Sequence, residues 1–313
     1  MFRIQRLACT TLTVALAGSL TVCAAPVALA GNGPAGAEQA AAIVEKATGV
    51  ADLAQAAGAA GVTATDTTSG SVTVTAPTNS SGSVDLAVDG VAAISIGLPR
   101  SANVPGVAAG AGTVVYPGAA PSADLAVQPT GSGGVRALVT MKDASAPSEW
   151  RFPLALPEGA VAVLQEDGGV ELTVPSDGAE IVVGTIAPPW AKDANGNAVP
   201  TSYRLEGSSL VQTVGFTAET AFPVVADPQV RGGTVFGTIR FNKNETNRIA
   251  AGGAVGAFLT GRWARLAGKL LPVNNGIAAF AGVAIAMDKC IAVKYPEWVG
   301  PVVPYYYSGG YCK

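Results

Sequence analysis

Glu149, Glu158, Glu166, Asp167, Glu171, Asp177 and Glu180 form the densest run of side chains able to exchange a proton with a substrate. Two carboxyl groups at a fixed separation are the machinery of glycoside hydrolysis. These seven stand beside turn residues, which suits solvated loops, and nothing in their spacing fixes a pair. The chain has no His. Ser-His-Asp and Cys-His nucleophile activation, His-based zinc sites and a His-based pH switch are therefore excluded. Of the four Cys, Cys9 and Cys23 fall in a leader expected to be removed, and Cys290 with Cys312 are expected to form one disulfide. Thiol catalysis goes with that bond. Carboxylate, Lys or Tyr chemistry is what remains to an enzyme, and no catalytic residue, metal ligand or cofactor is assigned.

Asp193, Asn195 and Asn197 alternate as oxygen ligands do in calcium loops. An EF-hand loop needs Gly at its sixth position and a bidentate Glu at its twelfth, where this chain has Ala198 and Arg204. The spacing predicts instead an Asn195-Gly196 hairpin turn leading into a strand at Tyr203 to Leu205.

The elements that must position these residues fall into four stretches. Residues 1–30 read as a signal peptide: Arg3 and Arg6 precede an apolar run from Leu7 to Val22, and Ala28-Leu29-Ala30 is a small-residue cleavage pattern. Cleavage after Ala30 and secretion are expected; lipidation at Cys23 is disfavoured by Val22, where a small residue is wanted. Residues 31–83 form an Ala-, Thr- and Ser-rich segment, with one or two short helices of low burying capacity before Gly61 and a connector or edge strand after Val62.

Residues 84–230 alternate with period two. Val84, Leu86 and Val88 share a face, as do Ile94, Ile96 and Leu98, then Leu125 and Val127, Val135 to Met141, Trp150 to Leu156, Val161 and Val163, Val170 to Val174, and Ile181 and Val183. Gly- and Asp-rich turns separate them. Regularly spaced strands without intervening helices indicate an antiparallel sandwich or barrel.

Residues 231–313 change character. Asn242 or Asn244 can cap a helix with Glu245 in its first turn, and Ile249, Val255, Phe258, Leu259, Trp263, Leu266 and Leu270 form its apolar side. Pro272 ends it, and Ile277 to Met287 reads as a second helix, apolar nearly all round. Both fall short of the roughly 20 apolar residues of a membrane span. Pro296, Pro301 and Pro304 break the tail into a disulfide-closed loop carrying Trp298, Tyr305, Tyr306, Tyr307 and Tyr311. The expected fold is thus α+β and multi-domain: an antiparallel β-sandwich-like domain followed by a small disulfide-closed α-helical hairpin domain.

Trp150-Arg151-Phe152, Leu156-Pro157-Glu158-Gly159, Pro189 to Gly196 and Pro223-Val224-Val225-Ala226-Asp227-Pro228 resemble a pattern in secreted actinobacterial proteins of uncharacterised function. The likeness covers most of residues 83–313, including Phe241 to Thr246 and the paired C-terminal Cys. Val115-Tyr116 with Ala123-Asp124-Leu125 is also similar to β-rich regions preceding YD repeats in large secreted proteins, although no such repeats follow. These resemblances imply export and a two-part architecture.

Charge divides at Phe222–Pro228. Residues 31–230 carry 7 Lys and Arg against 19 Asp and Glu, a net of −12, and residues 231–313 carry 10 against 3, a net of +7. Such asymmetry speaks of partners. The expectation is a secreted, non-enzymatic protein whose basic, apolar C-terminal module meets an anionic cell-wall polymer or membrane surface through Arg262, Arg265, Lys269, Trp298, Tyr305, Tyr306 and Tyr307. Two alternatives stand beside it: a proprotein whose acidic domain masks the module until proteolysis near Asp227 to Gly233, and a carboxylate-dependent secreted hydrolase. Acidity and export argue against specific nucleic-acid binding.

Overall fold

The computed structural model describes residues 34–54, 63–66, 72–88, 91–100, 102–176, 178–232, 237–259, 274–295 and 302–313. The expected leader, Arg262, Arg265, Lys269 and Trp298 lie outside the described residues. Strands dominate. In chain order they are β1 (Thr63–Asp66), β2 (Val72–Thr75), β3 (Ser83–Val88), β4 (Val91–Gly97), β5 (Val107–Ala109), β6 (Thr113–Ala120), β7 (Ala123–Thr130), β8 (Gly134–Met141), β9 (Glu149–Ala155) and β10 (Val161–Leu164). There follow β11 (Val170–Ser176), β12 (Ala179–Ile186), β13 (Ala191–Lys192), β14 (Thr201–Glu206), β15 (Ser209–Val214), β16 (Val224–Ala226), β17 (Gln229–Gly232), β18 (Gly237–Arg240), β19 (Cys290–Tyr295) and β20 (Val303–Tyr307). Three α-helices accompany them among the described residues: α1 (Pro34–Thr48), α2 (Lys243–Ala250) and α3 (Asn274–Ala286).

The strands form two antiparallel sheets. Seven run in the order β1-β2-β3-β4-β9-β15-β14, and the larger sheet runs β20-β19-β18-β12-β17-β8-β7-β6-β5, with β10 and β11 joined to β12, and β13 and β16 joined to β8. Period-two alternation explains the core: Trp150, Phe152 and Leu154 point in from β9 while Glu149, Arg151 and Pro153 point out. Ile94 and Leu210 from the first sheet and Leu125, Leu172 and Ile181 from the second belong to one hydrophobic cluster. At Gly184 the sheets approach closely enough that a Cβ would lie 2.6 Å from Ile94 Cδ1.

Helix α1 covers the opposite face of the larger sheet. Ala37, Ala40 and Ala41 let it lie close to Val115, while Val44 meets Ala126, Leu138 and Val225. These small clusters stand apart from the main core, as the Ala-rich composition suggested, so polar clamps assist. Glu45 Oε1 accepts from the Ala111 amide at 2.7 Å and the Thr113 hydroxyl at 2.8 Å, and Lys192 Nζ donates to the Ala47 carbonyl at 2.9 Å.

Past the joint the structure departs from the expected helix pair. Helix α2 stops at Ala250 because Gly252 takes φ +92° and Gly253 turns its amide back to the Arg248 carbonyl at 2.9 Å, where a Cβ would collide. Val255 and Phe258, expected on the same helix, sit in a short 3-10 turn. The tail is not an irregular loop, since Cys290–Tyr295 and Val303–Tyr307 pair as an antiparallel hairpin. Nor is this region separate from the sheets. Strand β18 pairs with β12, and Ile239, Phe241, Ile249 and Phe258 join the main core. The Cys290–Cys312 disulfide is present, with Cα atoms 5.6 Å apart.

Candidate functional site

Helix α3 presents the least ordinary surface of the described residues. It begins at Asn274, has no charged residue through Ala286, and packs inward through Ile277, Ala281 and Ala284, spaced by four and three. The rest of its circumference stays apolar: Val283 is 49 % exposed, and Ile285 and Met287 each 42 %. Val303 on β20, 49 % exposed, pairs with Lys294 and lies on the face of the hairpin opposite α3. Lys289 follows the helix, exposed at the negative end of its dipole, where a cation is favoured. Lys294 is exposed on β19, its ammonium 5.3 Å from the Tyr305 ring. No described helix is long and apolar enough to cross a membrane.

The three described tyrosines of the expected contact set divide by role. Tyr306 stacks on Phe280 with ring centres 3.9 Å apart, so it tethers the hairpin to α3. Tyr307 donates its hydroxyl to the Phe241 carbonyl at 3.0 Å, and burial pushes its phenol pKa up. Tyr305 keeps its half-exposed ring beside Lys294. The loop at Asp193 is a turn. Asp193 Oδ1 accepts the amides of Asn195 and Asn197 at 2.9 and 2.8 Å, and Oδ2 accepts the Asn197 side-chain amide at 3.1 Å. Its oxygens are committed to the loop itself.

The carboxylates named for hydrolysis are committed to arginines where they meet. Arg240 holds Glu171 with two hydrogen bonds, at 2.5 and 2.6 Å, and reaches Glu180 at 3.2 Å. Burial lowers the Arg240 pKa, but hydrogen bonds and charge from Glu171 and Glu180 outweigh it and leave the guanidinium firmly charged. Glu149 pairs with Arg204 at 2.7 Å on an exposed face. Neither group is a pair of free carboxyls facing across a cleft.

Sequence reasoning used Asp227 only as a boundary marker, and the structure buries it completely. Its Oδ1 accepts the Trp190 amide at 2.9 Å, the Tyr203 hydroxyl at 3.1 Å and the Gln212 side-chain amide at 3.4 Å, while Oδ2 has no partner among the described residues. Loss of water pushes its pKa up to about 7 against those stabilising bonds. The flanking run was the available signal: Val224, Val225 and Ala226 are all buried, as in a strand covered on both faces. No known protein family, curated protein or solved structure matches the chain.

Proposed function

We propose that this is an exported, non-catalytic protein that attaches through its C-terminal face to an anionic membrane surface. One observation carries the reading: α3 exposes Val283, Ile285 and Met287 with Lys289 directly after them. A wall polymer would satisfy basic residues alone, whereas an apolar helix surface next to a cation suits the headgroup boundary of a bilayer. Arg262, Arg265 and Lys269 precede α3 in the sequence and add to the positive field of residues 231–313. In the same reading the two sheets act as a sandwich that carries the binding face. Release of that face by cleavage at the joint is disfavoured, because Asp227, Pro228 and Val230 are buried.

Sedimentation with vesicles tests the proposal. Burying three half-exposed side chains contributes roughly 1 kcal/mol each, and each nearby Lys contributes about 1 kcal/mol at an anionic surface. The full chain is expected to bind phosphatidylglycerol vesicles better than phosphatidylcholine vesicles, more weakly at high salt. Replacing Val283, Ile285 and Met287 together by Ser lowers partitioning roughly 100-fold. Equal, weak binding to both vesicle types would sink the reading, and binding to isolated cell wall alone would reassign the surface to a polymer.

A further inference from the structure

In the seven-stranded sheet β4 and β9 are neighbours, yet only Ser95 with Ala155 and Ile96 with Leu154 are paired. Two prolines end the ladder. Pro153 has no amide to offer Gly97, and its ring fills the space beside that glycine, where a Cβ would meet it at 3.1 Å. Pro99 likewise lacks a donor on the opposite wall. The Arg100 amide then bonds back to the Leu98 carbonyl at 2.9 Å, which turns the chain aside. The two strands separate, and a cleft of about 430 Å³ opens between them.

The backbone of β9 inside this cleft is predictable. The Leu154 amide bonds to Ser208 and the Ser148 carbonyl accepts from Val214, so β9 gives its even-numbered positions to β15. Antiparallel alternation turns the N–H and C=O groups of Glu149 and Arg151 the other way. They face the cleft beyond the last paired residue of β4 and have no ladder partner among the described residues. An unpaired strand edge of this kind accepts an extended peptide as an added strand. Charge narrows the class. Glu149 and Arg151 on the rim are paired with Arg204 and Glu206, whereas Arg100 lines the cleft exposed and takes no ion pair among the described residues.

We infer that the split between β4 and β9 is a binding site for an extended acidic peptide of another protein, its backbone paired with Glu149–Arg151 and a carboxylate on Arg100. This site is independent of the α3 surface.

Amide exchange and titration by NMR on the full chain test it, with acetyl-Thr-Val-Asp-Val-Thr-amide as the probe. In the free protein the amides of Glu149 and Arg151 are expected to exchange much faster than those of Trp150 and Phe152. The probe should protect them and shift their resonances saturably. Its Asn counterpart, and the exposed-site variant Arg100→Ala, should each weaken binding roughly tenfold, the loss of one charge-assisted contact. Methylating alternate peptide nitrogens should abolish it. Protection of the Arg151 amide equal to that of Phe152 in the free protein overturns the site. Affinity unchanged by N-methylation or by Arg100→Ala overturns the recognition. Self-association that competes with the probe would make the occupant a second copy and overturn the assignment to a foreign peptide.

Discussion

Substituting Asp227 by Asn should change the pH dependence of stability more than stability itself. The buried carboxyl has its pKa pushed up from 3.8 to about 7, chiefly by loss of water, with Tyr203, Gln212 and the Trp190 amide pulling the other way. Because the folded value lies above the unfolded one, the folded protein keeps a proton between these limits that the unfolded chain has released. Stability therefore falls as pH rises from about 4 to about 7, and levels off above. Three pKa units correspond to about 4 kcal/mol. Asn retains a carbonyl oxygen for the Trp190 amide and the Tyr203 hydroxyl but cannot ionise. Urea unfolding of both proteins from pH 4 to pH 9 should show the variant gaining on the wild type by about 4 kcal/mol across that window, with similar m-values. Asp227→Ala should be destabilised at every pH, because it leaves the Trp190 amide and the buried Tyr203 hydroxyl without an acceptor. Parallel wild-type and Asn curves would refute the reasoning, since they would mean that Asp227 has the same pKa folded and unfolded.

Two further outcomes follow from the C-terminal region. Replacing Cys290 and Cys312 by Ser opens a loop spanning 22 residues, and should lower stability by about 3 kcal/mol in the chain-entropy account; urea midpoints of the variant and of the reduced wild type should agree. Arg240→Ala leaves Glu171 and Glu180 without their shared cation in a site where all three side chains are 18 to 19 % exposed. A loss of roughly 3 kcal/mol is expected, and adding Glu171→Gln should recover part of it in the same unfolding assay.

Period two was enough to place the inward faces of β3, β4, β7, β8, β9, β11 and β12, because each is buried on one side by a continuous core. It failed at β10. Val161 and Val163 alternate as a core strand would, yet they are 50 % and 40 % exposed because β10 pairs only with β11 at the margin of the sheet. Periodicity reports a face, and tertiary placement decides whether anything covers it. The break after α2 carried a local signal in Gly252-Gly253, which the apolar spacing from Ile249 to Leu270 overrode in the sequence reading. The cleft had no such signal. Pro99 and Pro153 acquire their effect only when β4 and β9 lie side by side, and no window of sequence joins them. Of the expected contact set, Tyr306 and Tyr307 were legible as aromatic but not as structural, since Phe280 and the Phe241 carbonyl are remote in the chain.

The opposed charges on either side of Phe222–Pro228 invite the picture of two bodies held together by attraction, and the hydrogen-bonding argues against it. Strand β18 lies between β12 from the acidic part and β19 from the basic part, in register at Ile181 with Ile239 and at Ile239 with Val293. Arg240 on that strand neutralises Glu171 and Glu180, so part of the positive charge after the joint is consumed inside the sheet. Lys243 is likewise paired, with Asp288 at 2.6 Å. The cations left to act outward among the described residues include Lys289, which follows the exposed apolar side of α3, and Lys294, on the other face of the sheet beside Tyr305. Charge asymmetry along the chain thus resolves into an internal ion-pair network that fastens the last strands to the sheet, and a smaller outward cationic rim. Only these outward cations bear on a surface outside the protein, and at Lys289 the effect depends on the apolar residues of α3 that precede it.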